Sequence, residues 1–309
     1  MQIGLTLAQA GPFADPGSVS AMARQAEAAG YHALWVLDRL LDPVSPRSRY
    51  PGTEDGSLPD EQRIALDPLL TLATAAAQTS RIRLGTNVLV APWYRPVLLA
   101  RSLASLDVLS RGRLDIGLGL GWSADEYAAV GVPQRRLAAR QEELLDVFDA
   151  LWTQDPVSFA GTEFRVAPAG VRPKPVQSPR PPVLLAAYTP AGLDRTGRRA
   201  DGWTPAGLPL DATAAMWSVV RAAAERAGRD SSSLSLVVRA NVKHSSRPIG
   251  RNRPTYHGSV EQIATDVHDA FALGAHQVVL DLQGTTTSVA EYFDLAEHLV
   301  EAGDLRDAA

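Results

Sequence analysis

A short apolar run, a polar loop and an amphipathic helix follow one another about eight times along the chain, and few architectures accept such a series. The first cycle is a strand at Ile3 to Leu7 and a helix from Pro16 to Ala29, with apolar positions three and four apart and Gly30 closing it. Strands follow at Ala33 to Leu37, Ile82 to Val90, Arg113 to Leu120, Val183 to Tyr188, Gly202 to Pro205, Leu234 to Val242 and His276 to Leu282. Between them helices are expected from Pro68 to Thr79, Arg95 to Leu109, Ser123 to Trp152 with a break at Gly131 to Pro133, and Thr189 to Arg199. Three more follow from Asp211 to Ala227, Val260 to Leu273 and Val289 to Ala302. Asp67 and Thr189 stand as N-caps before Pro68 and Pro190, since proline forfeits no helical hydrogen bond in the first turn. Unbroken alternation dictates parallel strands with helices outside. Eight cycles over 309 residues favour an α/β fold that is a single (β/α)8 TIM barrel, residues 1–309, with insertions after strands 2, 4 and 7.

Two of the insertions, residues 39–65 and 243–258, exceed ordinary loop length. Both follow strands, which places both at the C-terminal mouth of a barrel, where lids and binding loops sit. Residues 153–181 read as a hairpin and a proline-rich crossing. The chain has no cysteine, which excludes a disulfide framework, a thiolate nucleophile, an iron–sulfur cluster and a thiolate zinc site. Its net charge is -4, with Arg scattered among Asp and Glu and no basic stripe interleaved with aromatics, which argues against nucleic acid. The opening MQIGLTLAQAGPFADP lacks a basic flank and a long apolar core, and no segment approaches the roughly 18 apolar residues of a membrane span. A cytoplasmic protein acting on a small molecule, away from membranes, is expected.

The sharpest local feature ends strand four: Gly117-Leu118-Gly119-Leu120-Gly121-Trp122. Side chains alternate faces along a strand, so the three glycines leave one face bare while Leu118 and Leu120 pack on the other. Such a strip at a barrel mouth admits a flat ring, or else relieves crowding inside the barrel. Trp122 takes the position of a third Rossmann glycine, and P-loop, HExxH and GxSxG patterns are absent. A second feature is Ala186-Ala187-Tyr188-Thr189-Pro190, a strand end running into a helix start whose free amides favour an anion, although plain capping explains it equally well. Arg195, Arg198 and Arg199 on that helix read as solvated charge. Asp38-Arg39 ends strand two, with Asp38 an anchor or amide acceptor and Arg39 a surface cation or a clamp on an anionic ring. The histidines, His32, His244, His257, His268, His276 and His298, show no ligand spacing, so no metal is expected. Nothing among Asp38, Asp115, Asp125 and Glu126 singles out a glycosidase pair.

Several segments in order carry a resemblance over nearly the whole chain: Gly30 to Asp38, IRLGTNVLVAPWYRPVLLARSLASLDVLSRGRLDIGLGLGW at 82–122, EYAAVGVP at 126–133, LWTQDPVSFAG at 151–161, RPKPVQ at 172–177 and RRADGW at 198–203. The sequence resembles the luciferase-like monooxygenase superfamily of TIM barrels, most of all its coenzyme F420-dependent oxidoreductase branch. The resemblance implies a deazaflavin, coenzyme F420, or alternatively FMN, at the barrel mouth. It implies a bulge with a non-prolyl cis peptide at Asn87–Val88 behind the ring, and the strip Gly117, Gly119 and Gly121 beside ring and tail. The phosphate falls to Ala186, Ala187, Tyr188 and Thr189, where relatives often have Gly-Gly-Asn-Ser, and Asp38 and Asp125 count among the cofactor-binding residues. Arg39 departs from the histidine of many deazaflavin enzymes, and Trp122 from the glutamate of the sugar-phosphate dehydrogenases.

Arginine cannot donate and recover a proton near neutral pH, so Arg39 acts as an electrostatic partner, while Trp122 walls an apolar or conjugated substrate. The expected catalytic residues are thus Arg39, Trp122 and Tyr188, with Tyr188, His257 or a bound water as proton donor. Loop 39–65 is expected to close over the site, bringing Tyr50 and Trp93 as aromatic contacts. The expected activity is hydride transfer between F420 and a small organic substrate. The alternatives are an FMN-dependent monooxygenase using O2 and a non-catalytic flavin-binding barrel. A homodimer paired through the second and third helices is implied as well.

Overall fold

The computed structural model describes residues 1–305. Its eight barrel strands are Gln2–Thr6, Ala33–Val36, Arg83–Thr86, Leu114–Gly119, Val183–Leu185, Gly202–Trp203, Ser235–Asn241 and Gln277–Asp281. Each pairs in parallel with the next, and the last closes on the first in the register Gln2↔Gln277 to Leu5↔Leu280. The architecture is therefore the closed TIM barrel, with the long insertions after strands two, four and seven.

Period-two alternation sorts the strand residues into two cores. Leu34, Val36, Ile116, Leu118, Val183, Leu185, Leu236, Val238, Val278 and Leu280 face outward and join the helices in the main apolar cluster. Ala33, Trp35, Leu184, Val237 and Val279 face inward and form a separate plug at the barrel's waist. Trp35 is the largest of these, and glycine opposite it is what lets an indole fit: a Cβ on Gly85 would lie 2.3 Å from the Trp35 ring. Its indole nitrogen donates to Gln277 Oε1 at 2.7 Å. Below the plug, at the N-terminal end, a cavity of about 370 Å³ is lined by His32, Arg83, Asp115, Arg180 and Gln277 among others.

The helices begin where the caps put them. Asp67 Oδ1 accepts from Leu70 N at 2.9 Å ahead of helix Pro68–Gln78, and Thr189 Oγ1 accepts from Gly192 N at 3.2 Å ahead of helix Pro190–Arg199. The 153–181 stretch contains the expected hairpin, Val157–Ala160 against Arg165–Ala169. The Asn87–Val88 peptide is cis, as the resemblance implies, and the bulge around it divides the strand expected from Ile82 to Val90 into Arg83–Thr86 and Leu89–Val90. The expectation for the basic residues of helix Pro190–Arg199 needs correction. Arg195 and Arg199 are not solvated charge: they clamp their helix to helix Leu137–Thr153 through Glu142, and Arg199 reaches Asp146 as well, whereas Arg198 is exposed as expected and pairs most closely with Asp194 on its own helix. Helix amphipathicity alone could not reveal this, because the acidic partners lie about fifty residues upstream.

Candidate active site at the barrel mouth

The bulge of the third strand lies at the mouth, and the polar groups around it are mutually bonded. Asn87 Nδ2 donates to Thr204 Oγ1 at 2.9 Å, just past the sixth strand, and Arg239 Nη1 donates to the Asn87 carbonyl at 3.2 Å from the seventh. Arg239 is also paired with Asp281 at the end of the eighth strand. Burial opposes charge on both members of this pair, and their mutual attraction outweighs it: Arg239 is held above and Asp281 below its ordinary pKa. Gln283 Nε2 donates to Asp281 Oδ1 at 3.2 Å, while Gln283 Oε1 receives the Gln9 and Ala10 amides, each at 3.1 Å. Gln9 in turn accepts from Leu37 N and donates to Leu37 O, so the roots of strands one, two and eight are tied together.

Asp38 sits at the root of the long loop, 8% exposed. Its Oδ2 accepts from Val90 N at 3.0 Å and from the Tyr94 hydroxyl at 2.9 Å. Its Oδ1 is buried with no hydrogen-bond partner among the described residues, and so is Thr6 Oγ1 at the end of the first strand. Burial pushes the Asp38 carboxyl up to about 6 against the pull of Val90 N and the Tyr94 hydroxyl.

The glycine strip is occupied differently from expectation. A Cβ on Gly117 would lie 2.0 Å from the Thr86 carbonyl oxygen, one on Gly119 would lie 2.6 Å from Val88 Cγ2, and one on Gly121 would lie 2.6 Å from Val90 Cγ1. The bare face receives the adjacent third strand and its bulge, not a flat ring directly: of the two readings, relief of crowding is the one the packing supports. Gly121 additionally has φ +67°, a conformation that disfavours any residue with a Cβ.

Loop 39–65 lies over the mouth against the short helix Ala124–Ala129. Arg39 is turned to Glu126, with Nη1 to Oε2 at 3.4 Å, and to the Leu41 carbonyl at 2.7 Å, while its guanidinium lies 5.2 Å from the Trp122 ring centroid. Trp122 meets Tyr50 edge to face with centroids 5.3 Å apart. Asp125 binds the backbone and guanidinium of Arg47, at 2.9 and 2.8 Å, making it a contact of the loop. Trp93 does not join Tyr50; it is buried against Tyr127 in a separate cluster.

On the opposite rim Ala186 and Ala187 follow the fifth strand, and the Tyr188 hydroxyl accepts from Ala206 N at 3.1 Å. Thr189 is occupied as an N-cap. His257 pairs in register with Lys243, and burial together with Lys243 and Arg253 lowers its pKa. Sequence reading brought Asp38, Asn87, Val88 and Tyr188 to this mouth, and missed Gln9, Thr204, Arg239, Asp281 and Gln283. The available signal was an inward-facing polar residue at the end of an otherwise apolar strand, as with Arg239 in SLVVRAN and Asp281 in QVVLD.

The sequence profile of the family described as luciferase-like monooxygenase matches residues 2–248. An uncharacterized protein of Mycobacterium tuberculosis is 39% identical over 212 residues, 68% of this chain and 75% of its own length. The F420-dependent hydroxymycolic acid dehydrogenase of the same organism is 32% identical over 218 residues, 69% of this chain and 55% of its own length. Among solved structures, monooxygenase RslO1 from Streptomyces bottropensis has a TM-score of 0.78 at 23% identity, covering 97% of this chain and 99% of that one.

Proposed function

The chain belongs to the luciferase-like monooxygenase family of oxidoreductase enzymes, and from that premise we propose that it transfers hydride between coenzyme F420 and a small organic substrate at the barrel mouth. The observation that carries the reading is that two of the buried polar atoms without partners among the described residues, Thr6 Oγ1 and Asp38 Oδ1, lie together at the mouth, at the end of the first strand and just past the end of the adjacent second. Buried polar groups need hydrogen bonds, and a planar heterocycle with a donor and acceptor edge provides them. Similarity to an F420-dependent dehydrogenase supports the deazaflavin, and similarity to a flavin-dependent trigonelline monooxygenase supports FMN as the second reading.

Thr6, Asp38 and the Asn87–Val88 bulge would hold the ring, and the small side chains of Ala186 and Ala187 leave their backbone accessible to the tail. Bound there, the deazaflavin supplies the hydride chemistry, as cofactors do. The chain supplies orientation and exclusion of water. Trp122 and Tyr50 form an aromatic wall over the mouth. Arg39 carries a permanent charge and is engaged with Glu126, so it positions the wall and transfers no proton. Tyr188, whose hydroxyl receives the Ala206 amide at 3.1 Å and donates more loosely to the Ala206 carbonyl at 3.4 Å, is the group we assign to hold a proton for the substrate. A homodimer belongs to the same proposal: Leu70, Leu98 and Leu109 on the second and third helices are 72%, 60% and 66% exposed.

The test is a fluorescence and calorimetric titration of the purified chain with F420 and with FMN, followed by oxygen-electrode measurements. Binding of F420 with no substrate-dependent oxygen uptake is expected. Tight FMN binding with oxygen consumption would replace the hydride-transfer reading by the monooxygenase one, and binding of neither would remove the mouth as a flavin site.

A further inference from the structure

Loop 39–65 is long, yet its position over the mouth is set at one end by a single buried carboxylate. Glu126 is 2% exposed. Its Oε1 accepts from Leu40 N at 2.8 Å and Leu41 N at 3.2 Å, and its Oε2 faces Arg39 Nη1 at 3.4 Å. One side chain therefore fixes two consecutive loop amides and the loop's first cation. Glu126 itself is fixed, because it lies in the first turn of a helix capped by Ser123, whose Oγ accepts from Glu126 N.

The consequences run outward from this point. Arg39, held by Glu126, lies on the Trp122 ring, and Trp122 supports Tyr50, whose hydroxyl also receives Gln62 Nε2 at 3.0 Å. Tyr50 lies within electrostatic range of Arg239 and Tyr188, which places this part of the loop on the side of the mouth facing the opposite strands. Arg47 and Ser48 bind the same short helix, through Asp125 and through the Ala124 amide. These outer contacts are exposed or half-exposed, and exposed ion pairs contribute little. The Glu126 carboxylate is itself buried, as is most of the Arg39 side chain, and a buried charge that loses its partners is costly.

We propose that Glu126 is the positioning residue of this site: it latches loop 39–65 across the barrel mouth and thereby sets Arg39, Trp122 and Tyr50 as the ceiling under which ligand binds. The assignment of the mouth as the ligand site rests on the proposed function; the latch itself does not. Ligand entry and release then require the Glu126 contacts to open, which makes the latch a determinant of exchange rates more than of affinity.

The experiment compares wild type, Glu126→Gln and Glu126→Ala, all checked for native circular dichroism. Gln keeps an acceptor for the Leu40 and Leu41 amides but not the charge opposite Arg39, whereas Ala keeps neither. In the ligand-free protein, tryptic cleavage after Arg47 and Arg49 is expected to accelerate by about tenfold or more in Glu126→Ala and by less in Glu126→Gln. The emission of Trp122, isolated by difference against the corresponding Trp122→Phe proteins, should shift in the same order. With F420, stopped-flow association and dissociation rates should both rise while the dissociation constant changes less. Unchanged cleavage and unchanged Trp122 emission in folded variants overturn the latch. If Glu126→Ala does not fold, Glu126→Gln decides by the same readouts. Failure of wild type to bind F420 or FMN counts against the proposed function and leaves the proteolysis result to judge the latch alone.

Discussion

Replacing Asp38 by Asn isolates the electrostatics at the root of the lid. Burial raises this carboxyl, and although Val90 N and the Tyr94 hydroxyl lower it, the balance moves it from 3.8 to about 6. The unfolded chain gives up the proton near 3.8, so between 3.8 and about 6 the native state binds more protons than the unfolded one. Stability tied to this group is therefore complete below 3.8 and is lost as pH rises through about 6. At about 1.4 kcal/mol per pKa unit, the loss reaches about 3 kcal/mol at neutral pH. Asn retains a carbonyl oxygen for Val90 N and the Tyr94 hydroxyl and has no charge to bury. Urea unfolding of both proteins, from about pH 4.5 to about pH 8, should show the variant gaining on wild type by most of that amount. Subtracting the two curves removes the titration of every other group. Curves that run parallel across this range would refute the account of Asp38 as a buried, reluctantly ionised carboxyl.

Gly119→Ala should cost about 1–3 kcal/mol by overpacking against Val88. Adding Val88→Ala should recover most of that loss, whereas Gly117→Ala, which meets the Thr86 carbonyl oxygen at 2.0 Å, should not be rescued by the same second change. Arg239→Leu leaves Asp281 buried without its cation and should destabilise by about 3–5 kcal/mol in urea, with Arg239→Leu/Asp281→Leu distinctly milder. Leu98→Glu should convert the proposed dimer to a monomer in light scattering; a wild-type monomer at the same concentration rejects the dimer.

The barrel was legible because its evidence is local and repeated: strand periodicity, caps such as Asp67 and Thr189, and loop length each point the same way. The limits of the strands were less so, since the third strand keeps its apolar composition straight through the bulge at Asn87 and Val88. Site residues were legible where chain position marks them, as Asp38 does at the foot of a long loop. They were not where the decisive partner is distant. Arg39 reads equally as a surface cation or a ring clamp, and the partner it has in the structure, Glu126, lies 87 residues on. The glycine strip left two readings open, because alternation shows which face is bare and not which neighbour moves into it, and in the structure Thr86, Val88 and Val90 do. Gln9 and Gln283 bond across nearly the whole length of the chain, and no window of sequence contains both.

The inward cluster at the waist gives the molecule an internal bulkhead. Trp35 and its companions span the axis, and the one polar atom of the indole is turned downward to Gln277. This apolar layer separates the foot, with its Arg83–Asp115 pair, from the mouth, with its Arg239–Asp281 pair. The two charged pairs are thus held at opposite ends of one cylinder, each set in its own polar surroundings on either side of an apolar partition.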